Sequence, residues 1–374
     1  MKWKTTFSYR QQDYRTWPSF LKKEIQKIKV NTNVDSQRLR VIFGNEFGVE
    51  PIVFEQVNLK VNEDQYVVTK NHEEKIVIYP GETFSSDILM VSLKATDEIL
   101  LSSHLAANTI VTSGTVTYSR QVMSVENFQE GHLIKQSEQF RMVKENPRMC
   151  MVYGIIALEQ LCTEQTKTIA VFGDSLTQQG FWIDGMKLRL RQEKKENIAI
   201  LNIGIGGNRV LEETDHSEDG YYRHGYSGLS RFEDDVFGRD VPDFLVIQHG
   251  INDLVHQSMY PKTDFVKVPE IITGLEQYCK IAKEYGIVPI GVTISPLRKS
   301  IFFNEKFENA RLQLNNWYRS SGKFSGIIDL DEYLKDPDDP SLLLAEADTG
   351  DGLHYSLAGG HLAASKMDLS IFNL

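Results

Sequence analysis

Four short groups hold the side chains of this chain that are best suited to covalent chemistry. Gly173-Asp174-Ser175-Leu176 sets a serine directly after the apolar run 168–172 and before a stretch with helical spacing. A serine there can expose its hydroxyl and present its own N–H at a helix N-terminus, where the local field favours an anion. An N-cap formed by Asp174 or Ser175 explains those four residues equally well. No glycine follows at the second position, so this is not a G-x-S-x-G elbow. Asn202-Ile203-Gly204-Ile205-Gly206-Gly207-Asn208-Arg209 follows the next apolar run. Its glycines allow backbone amides to approach a phosphate or an oxyanion, or simply make a tight turn. Gly250-Ile251-Asn252-Asp253 offers a side-chain amide that could donate to a developing oxyanion, or form a helix cap or Asx-turn. Asp351-Gly352-Leu353-His354, read as opening the last helix, brings a carboxylate and an imidazole onto one turn. The carboxylate could then hold one ring nitrogen while the other faces a nucleophile. A capping Asp beside an incidental His is the alternative, and Asp348 is a competing acid.

These groups require a frame. From residue 166 onward, short apolar runs (168–172, 198–203, 244–249, 288–294 and 326–329) alternate with helical patterns at 181–192, 269–285, 304–321 and 357–372. In 269–285, Ile271, Ile272, Leu275, Tyr278, Cys279 and Ala282 line one helical face. The alternation predicts an α/β fold: a flavodoxin-like parallel five-stranded sheet with helices on both faces. In such sheets ligands sit beyond the carboxyl ends of the strands, where these groups fall. Before residue 160 the rhythm differs. Runs at 39–43, 57–61, 75–79, 88–93, 99–103, 109–118 and 149–158 are β-like and separated by turn residues, which predicts an all-β sandwich or jelly roll. Residues 19–29 read as a short helix. The division expected is an accessory β-domain over 1–163 and a catalytic domain over 164–374.

The four groups, in this order and each at a strand end or helix start, resemble the SGNH, or GDSL, hydrolase family over residues 166–374. Asn202-Ile203-Gly204-Ile205-Gly206-Gly207-Asn208-Arg209-Val210-Leu211, residues 228–236 and, more loosely, residues 38–48 and 79–93 resemble a subgroup with an N-terminal β-domain. The resemblance implies a serine ester hydrolase with Ser175 as nucleophile, His354 as general base and Asp351 orienting it. The oxyanion hole would combine the N–H groups of Ser175 and Gly207 with the Asn252 amide. Asp174 is expected to tie down the serine turn, and Asp253 to cap the following segment.

Between the second and third groups, Tyr221, Tyr222, Arg223, His224 and Tyr226 could line a substrate pocket or pack on the surface. Asp215, His216 and His224 lack zinc spacing, so no metal is expected, and no cofactor is implied. The dinucleotide G-x-G-x-x-G fingerprint and a Walker lysine are both absent, which disfavours a nucleotide-binding flavodoxin-like protein. The net charge is −10. Residues 1–163 carry 19 basic and 19 acidic side chains, and the remainder 22 and 32. Such an acidic chain is a poor partner for nucleic acid through a broad basic face. The longest apolar run, 149–158, is too short to span a bilayer. The N-terminus lacks an apolar signal core, so a cytoplasmic location is expected, or secretion if a leader has been removed. The three cysteines have no C-x-x-C spacing and read as reduced core thiols. The expected substrate is a small-molecule or glycan ester with a short acyl group, plausibly a carbohydrate O-acetyl ester. A lysophospholipase or thioesterase acting on longer chains is the enzyme alternative, and a catalytically silent carbohydrate-binding protein the alternative of another class. The oligomeric state is not legible.

Overall fold

The computed structural model describes residues 1–117, 123–126, 150–213, 221–259 and 265–374. Its contacts group into two compact units. One comprises Met1–Thr168, Leu190–Asn202 and a segment ending at Arg223; the other holds Ile169–Arg189, a segment beginning at Ile203, and His224–Leu374.

The first unit is antiparallel β structure. One sheet runs in the order Lys2–Ser8, Gly154–Cys162, Ser36–Gly44, Leu89–Leu93, with Thr83–Ser85 also paired to Ser36–Gly44. A second runs Met123–Glu126, Ile25–Val30, Ile99–Leu105, Ile52–Val61, Asp64–Val68, with Ile76–Ile78 also paired to Ile52–Val61. Ile99–Leu105 alternates buried and half-buried residues along its whole length, as expected of a strand with one face on a core. Val41, Phe43 and Leu158 from one sheet and Ile28, Leu59 and Leu101 from the other join a single buried cluster. Each such side chain contributes about 2 kcal/mol by leaving water.

The β-like runs at 39–43, 57–61, 75–79, 88–93 and 99–103 coincide with or overlap strands. The run 109–118 divides into Thr109–Val111 and Ser113–Thr117, with 118 outside the described residues. The run 149–158 divides into Cys150–Val152 and Gly154–Cys162, with 149 outside them. The helix expected at 19–29 is not formed; the strands Ser19–Leu21 and Ile25–Val30 stand there. Gln26 explains the difference. It shares the inward face with Ile28 and Val30, and it is buried by bonding Ser103 Oγ and the backbone of Tyr153. A polar residue on the inner face hides the two-residue period.

The parallel sheet comprises β1 (Lys167–Gly173), β2 (Ile198–Gly204), β3 (Phe244–Gln248), β4 (Val288–Val292) and β5 (Gly326–Ile328), in the order 2-1-3-4-5. The pairs β1–β3, β3–β4 and β4–β5 are parallel. Every residue of β3 is buried, as is β1 from Thr168 onward, so the sheet is covered on both faces. The connecting helices are α1 (Ser175–Gln178), α2 (Phe181–Gln192), α3 (Gly228–Phe237), α4 (Ile251–Met259), α5 (Val268–Glu284), α6 (Glu305–Ser320), α7 (Leu330–Leu334) and α8 (Leu357–Lys366). Ile271, Leu275, Tyr278, Cys279 and Ala282 form the buried face of α5, while Ile272 is half-buried. Asn304 caps α6 by accepting from the Phe307 amide. Among the described residues, no helix is long and apolar enough to cross a membrane.

Candidate active site

β1 delivers the chain to Gly173, where a Cβ would collide with the Gln248 carbonyl. Asp174 then caps α1, its Oδ1 accepting from the Leu176 amide at 3.1 Å. Ser175 is the first residue of that helix, so its N–H has no intrahelical acceptor. Burial pushes the Asp174 carboxyl up to about 7, against the Leu176 amide and the charge of His354, which lower it.

The last group does not open a helix. Gly350 and Gly352 adopt positive φ (103° and 73°), which breaks any helix there, and α8 begins at Leu357 with Ser356 as its cap. The loop holds its shape through carboxylates. Asp348 Oδ1 accepts from the amides of Gly350 (2.7 Å) and Gly352 (2.9 Å), which makes it a loop staple rather than a partner of His354. Asp351 Oδ1 accepts from the amides of Leu353 and His354, and its Oδ2 lies 2.7 Å from His354 Nδ1. A carboxylate only accepts, so Nδ1 carries a hydrogen and, in the neutral ring, Nε2 is the acceptor. Nε2 lies 2.9 Å from Ser175 Oγ. Burial alone would raise the Asp351 pKa. The hydrogen bond and charge of His354, with the two amides, outweigh it and hold the carboxyl well below the usual carboxylate range.

Gly207 has φ of 75°, which favours glycine. The neighbouring amides are occupied: Gly206 N–H donates to Gln178 Oε1 at 2.7 Å and Asn208 N–H to the Ile205 carbonyl at 3.1 Å. Among the described residues, neither the Ser175 nor the Gly207 amide donates a hydrogen bond. Asn252, second in α4, neither caps a helix nor forms an Asx-turn. Its Nδ2 donates to the Asn208 carbonyl at 3.0 Å, which uses one of its two N–H groups. Asp253 does not cap the following segment; its carboxylate accepts from the amides of Val210 and Leu211 and so fastens the glycine loop. Burial pushes it up to about 6 against those two amides.

Two further residues assemble this centre. The Asn208 side chain donates to the carbonyls of His224 and Tyr226 and accepts from Arg231 Nε, while its own carbonyl also receives His249 Nε2. Burial, then the charge of Arg231, push His249 down to about 3 against the Asn208 bond, so it is neutral. Arg231 reaches the Gly173 carbonyl at 2.9 Å, the Ile203 carbonyl at 3.2 Å and Asp235 Oδ2 at 2.6 Å, with its guanidinium over Phe172. Asn208 and Arg231 stand within segments that are recognisable in the sequence, but their roles depend on carbonyls from β1 and β2. The only local signal is the Arg231–Asp235 spacing of four on a helix.

The described residues among those expected to line the substrate have different partners. His224 lies against Gly207, with Nδ1 bonded to the Gly206 carbonyl. Tyr226 is 51% exposed. In the first unit, Arg223 lies over the Trp17 ring at 4.7 Å and its carbonyl accepts from Gln12. The side chains of Tyr221 and Tyr222, together with Asp215 and His216, lie outside the described residues.

Among solved structures, the chain is similar to an acetyl xylan esterase, AlAXEase, at 20% identity (TM-score 0.41; 54% of this chain and 97% of that one). It is also similar to a putative lipolytic protein of the G-D-S-L family from Desulfitobacterium hafniense at 17% (0.40; 53% and 96%). A GDSL-like lipase from Bacteroides thetaiotaomicron is similar at 16% (0.40; 56% and 90%). No curated protein matches. The family model described as GDSL-like Lipase/Acylhydrolase matches residues 169–367, more than half of the chain, from within β1 to just past the end of α8. The chain therefore belongs to the GDSL-like lipase/acylhydrolase family and is a carboxylic ester hydrolase.

Proposed function

We propose that this enzyme is a serine esterase that hydrolyses short-chain carboxylic esters through an acyl-enzyme on Ser175. The observation that carries the reading is the hydrogen-bonded series from Asp351 through His354 to Ser175, with steps of 2.7 and 2.9 Å. Ser175 Oγ attacks the ester carbonyl carbon as His354 Nε2 takes its proton. Asp351 holds the ring and stabilises the imidazolium. The tetrahedral oxyanion receives the amides of Ser175 and Gly207 and the second N–H of Asn252. It collapses as the C–O bond to the alcohol breaks, and His354 returns the proton to the departing alkoxide. Water, deprotonated by His354, then attacks the acyl-enzyme; as the bond to Ser175 Oγ breaks, His354 returns that proton to Oγ and the carboxylic acid is released.

O-acetylated carbohydrate is the substrate class this reading favours. The β-rich first unit suits an accessory role with a glycan, and the acidic balance of the chain favours a neutral substrate. The deciding experiment compares wild type, Ser175→Ala and His354→Ala on aryl acetates and acetylated sugars, with an organophosphonate as a covalent probe. Both substitutions are expected to abolish turnover with the fold intact, and the probe to label Ser175. Asn252→Ala is expected to lower kcat chiefly, because losing one oxyanion donor costs about 3–4 kcal/mol in the transition state. Near-wild-type activity of Ser175→Ala, or labelling at another residue, would refute the assignment.

A further inference from the structure

Gly206 and Gly207 share one peptide group, and its carbonyl edge is fastened. The Gly206 carbonyl oxygen is bonded to His224 Nδ1. A carbonyl only accepts, so Nδ1 donates. In a planar trans peptide the C=O and the following N–H point in opposite directions. The bond that holds the Gly206 oxygen therefore turns the Gly207 N–H away from His224. The Nδ1 edge of the imidazole also lies so close to Gly207 that a Cβ there would run into Nδ1, Cε1 and Cγ of the ring. His224 is itself anchored, because its carbonyl accepts from Asn208 Nδ2 at 2.6 Å. Asn208 thus holds His224, and His224 holds the Gly206–Gly207 peptide.

We propose that His224 is a positioning residue for the oxyanion hole: it orients the Gly206–Gly207 peptide so that the Gly207 N–H is aimed at the developing oxyanion. A hydrogen bond to the carbonyl also polarises the peptide and makes its N–H a stronger donor. This role rests on Ser175 as nucleophile and Gly207 as oxyanion donor, and adds a residue that acts through the peptide rather than on the substrate.

Two substitutions separate the hydrogen bond from the packing. His224→Phe keeps a ring against Gly207 and removes the donor. His224→Asn removes the ring and keeps an amide donor near the position of Nδ1. Misaiming a donor costs less than deleting it, so His224→Phe is expected to lower kcat about tenfold with KM within about twofold. It should slow phosphonylation of Ser175 by a similar factor, while His224→Asn stays within about threefold of wild type. Combined with Asn252→Ala, the kcat loss of His224→Phe should be less than multiplicative, because both act on one oxyanion. The reverse order of the two variants would assign His224 to packing. A raised KM with unchanged kcat would make it a substrate-lining residue. Either result overturns the proposal. Where His224→Phe loses its native melting transition, His224→Asn decides alone, and a kcat loss beyond threefold in a folded protein counts against the role. Ser175→Ala and Asn252→Ala, measured in parallel, distinguish the two levels. Activity in Ser175→Ala refutes the esterase reading itself, whereas inactive Ser175→Ala beside a wild-type-like His224→Phe refutes only the positioning role.

Discussion

Asp174 and Asp351 show how environment divides the work among like side chains. Asp351 receives two amides and an imidazole and stays ionised, so it can balance a positive His354. Asp174 is buried with one amide, and its carboxyl is pushed up to about 7 by that burial. The folded state therefore retains a proton on Asp174 between about pH 4 and 7 that the unfolded chain has lost. By linkage, that proton makes stability fall as pH rises through this window and level off above it. Asp253, at about 6, adds a fall of the same sign over a narrower range. The expected result is a wild-type urea midpoint that drops from pH 5 to pH 8, and a smaller drop in Asp174→Asn, which keeps an oxygen for the Leu176 amide. Parallel curves for the two proteins would show that Asp174 does not hold that proton.

At the scale of elements, the candidate groups sit at helix starts and on loops whose shape is set from the neighbouring strands and helices. Arg231 on α3 bonds carbonyls at the ends of β1 and β2 and reaches the glycine loop through Asn208, with Asp235 as its buried counter-ion. The Asp235 side chain is fully buried, so removing the guanidinium leaves a carboxylate without that partner. Breaking a buried pair typically costs about 3–5 kcal/mol. Arg231→Met is expected to lose stability of that order, seen as a lower urea midpoint, and to lower activity because both the serine loop and the glycine loop lose an anchor. A midpoint within experimental error of wild type would show that the guanidinium is not the anchor. The helical periods of α2, α5 and α6 are legible in the sequence, and α2 has the bounds its spacing predicts, because one face of each is apolar. The strand Ile25–Val30 is not legible, because Gln26 satisfies its amide, among the described residues, with Ser103 and Tyr153, far away in the chain.

For the whole molecule, the charge is unevenly divided, and the excess acidity lies after residue 163, in the part that carries Ser175, Asp351 and His354. Such a net negative charge disfavours anionic substrates and tolerates neutral ones. Activity is accordingly expected to be highest on neutral acetyl and other short-chain esters and to fall with acyl length. A panel of p-nitrophenyl esters from two to about twelve carbons, beside acetylated sugars, measures this. A preference for chains beyond about eight carbons would favour a lysophospholipase or thioesterase, and turnover of none together with measurable sugar binding would favour a binding protein.

The sequence by itself pointed to the reaction class and the residues to inspect, through a family resemblance carried by four groups in order, three at the ends of apolar runs and the last before the final helical stretch. It also determined the alternation of strands and helices, since periodicity is a local property. Only the tertiary structure decided which candidate acid faces His354. Asp348 and Asp351 both lie within one or two turns of chain from His354, and the turn at Gly350 and Gly352 commits the first to backbone amides and the second chiefly to the imidazole and its neighbouring amides. It likewise decided that Asn252 and Asp253, adjacent in sequence, divide between the Asn208 carbonyl and the Val210 and Leu211 amides. Those partners lie about forty residues away, so no local pattern could specify them; they meet only because β2 and β3 flank β1 and end at the same edge of the sheet.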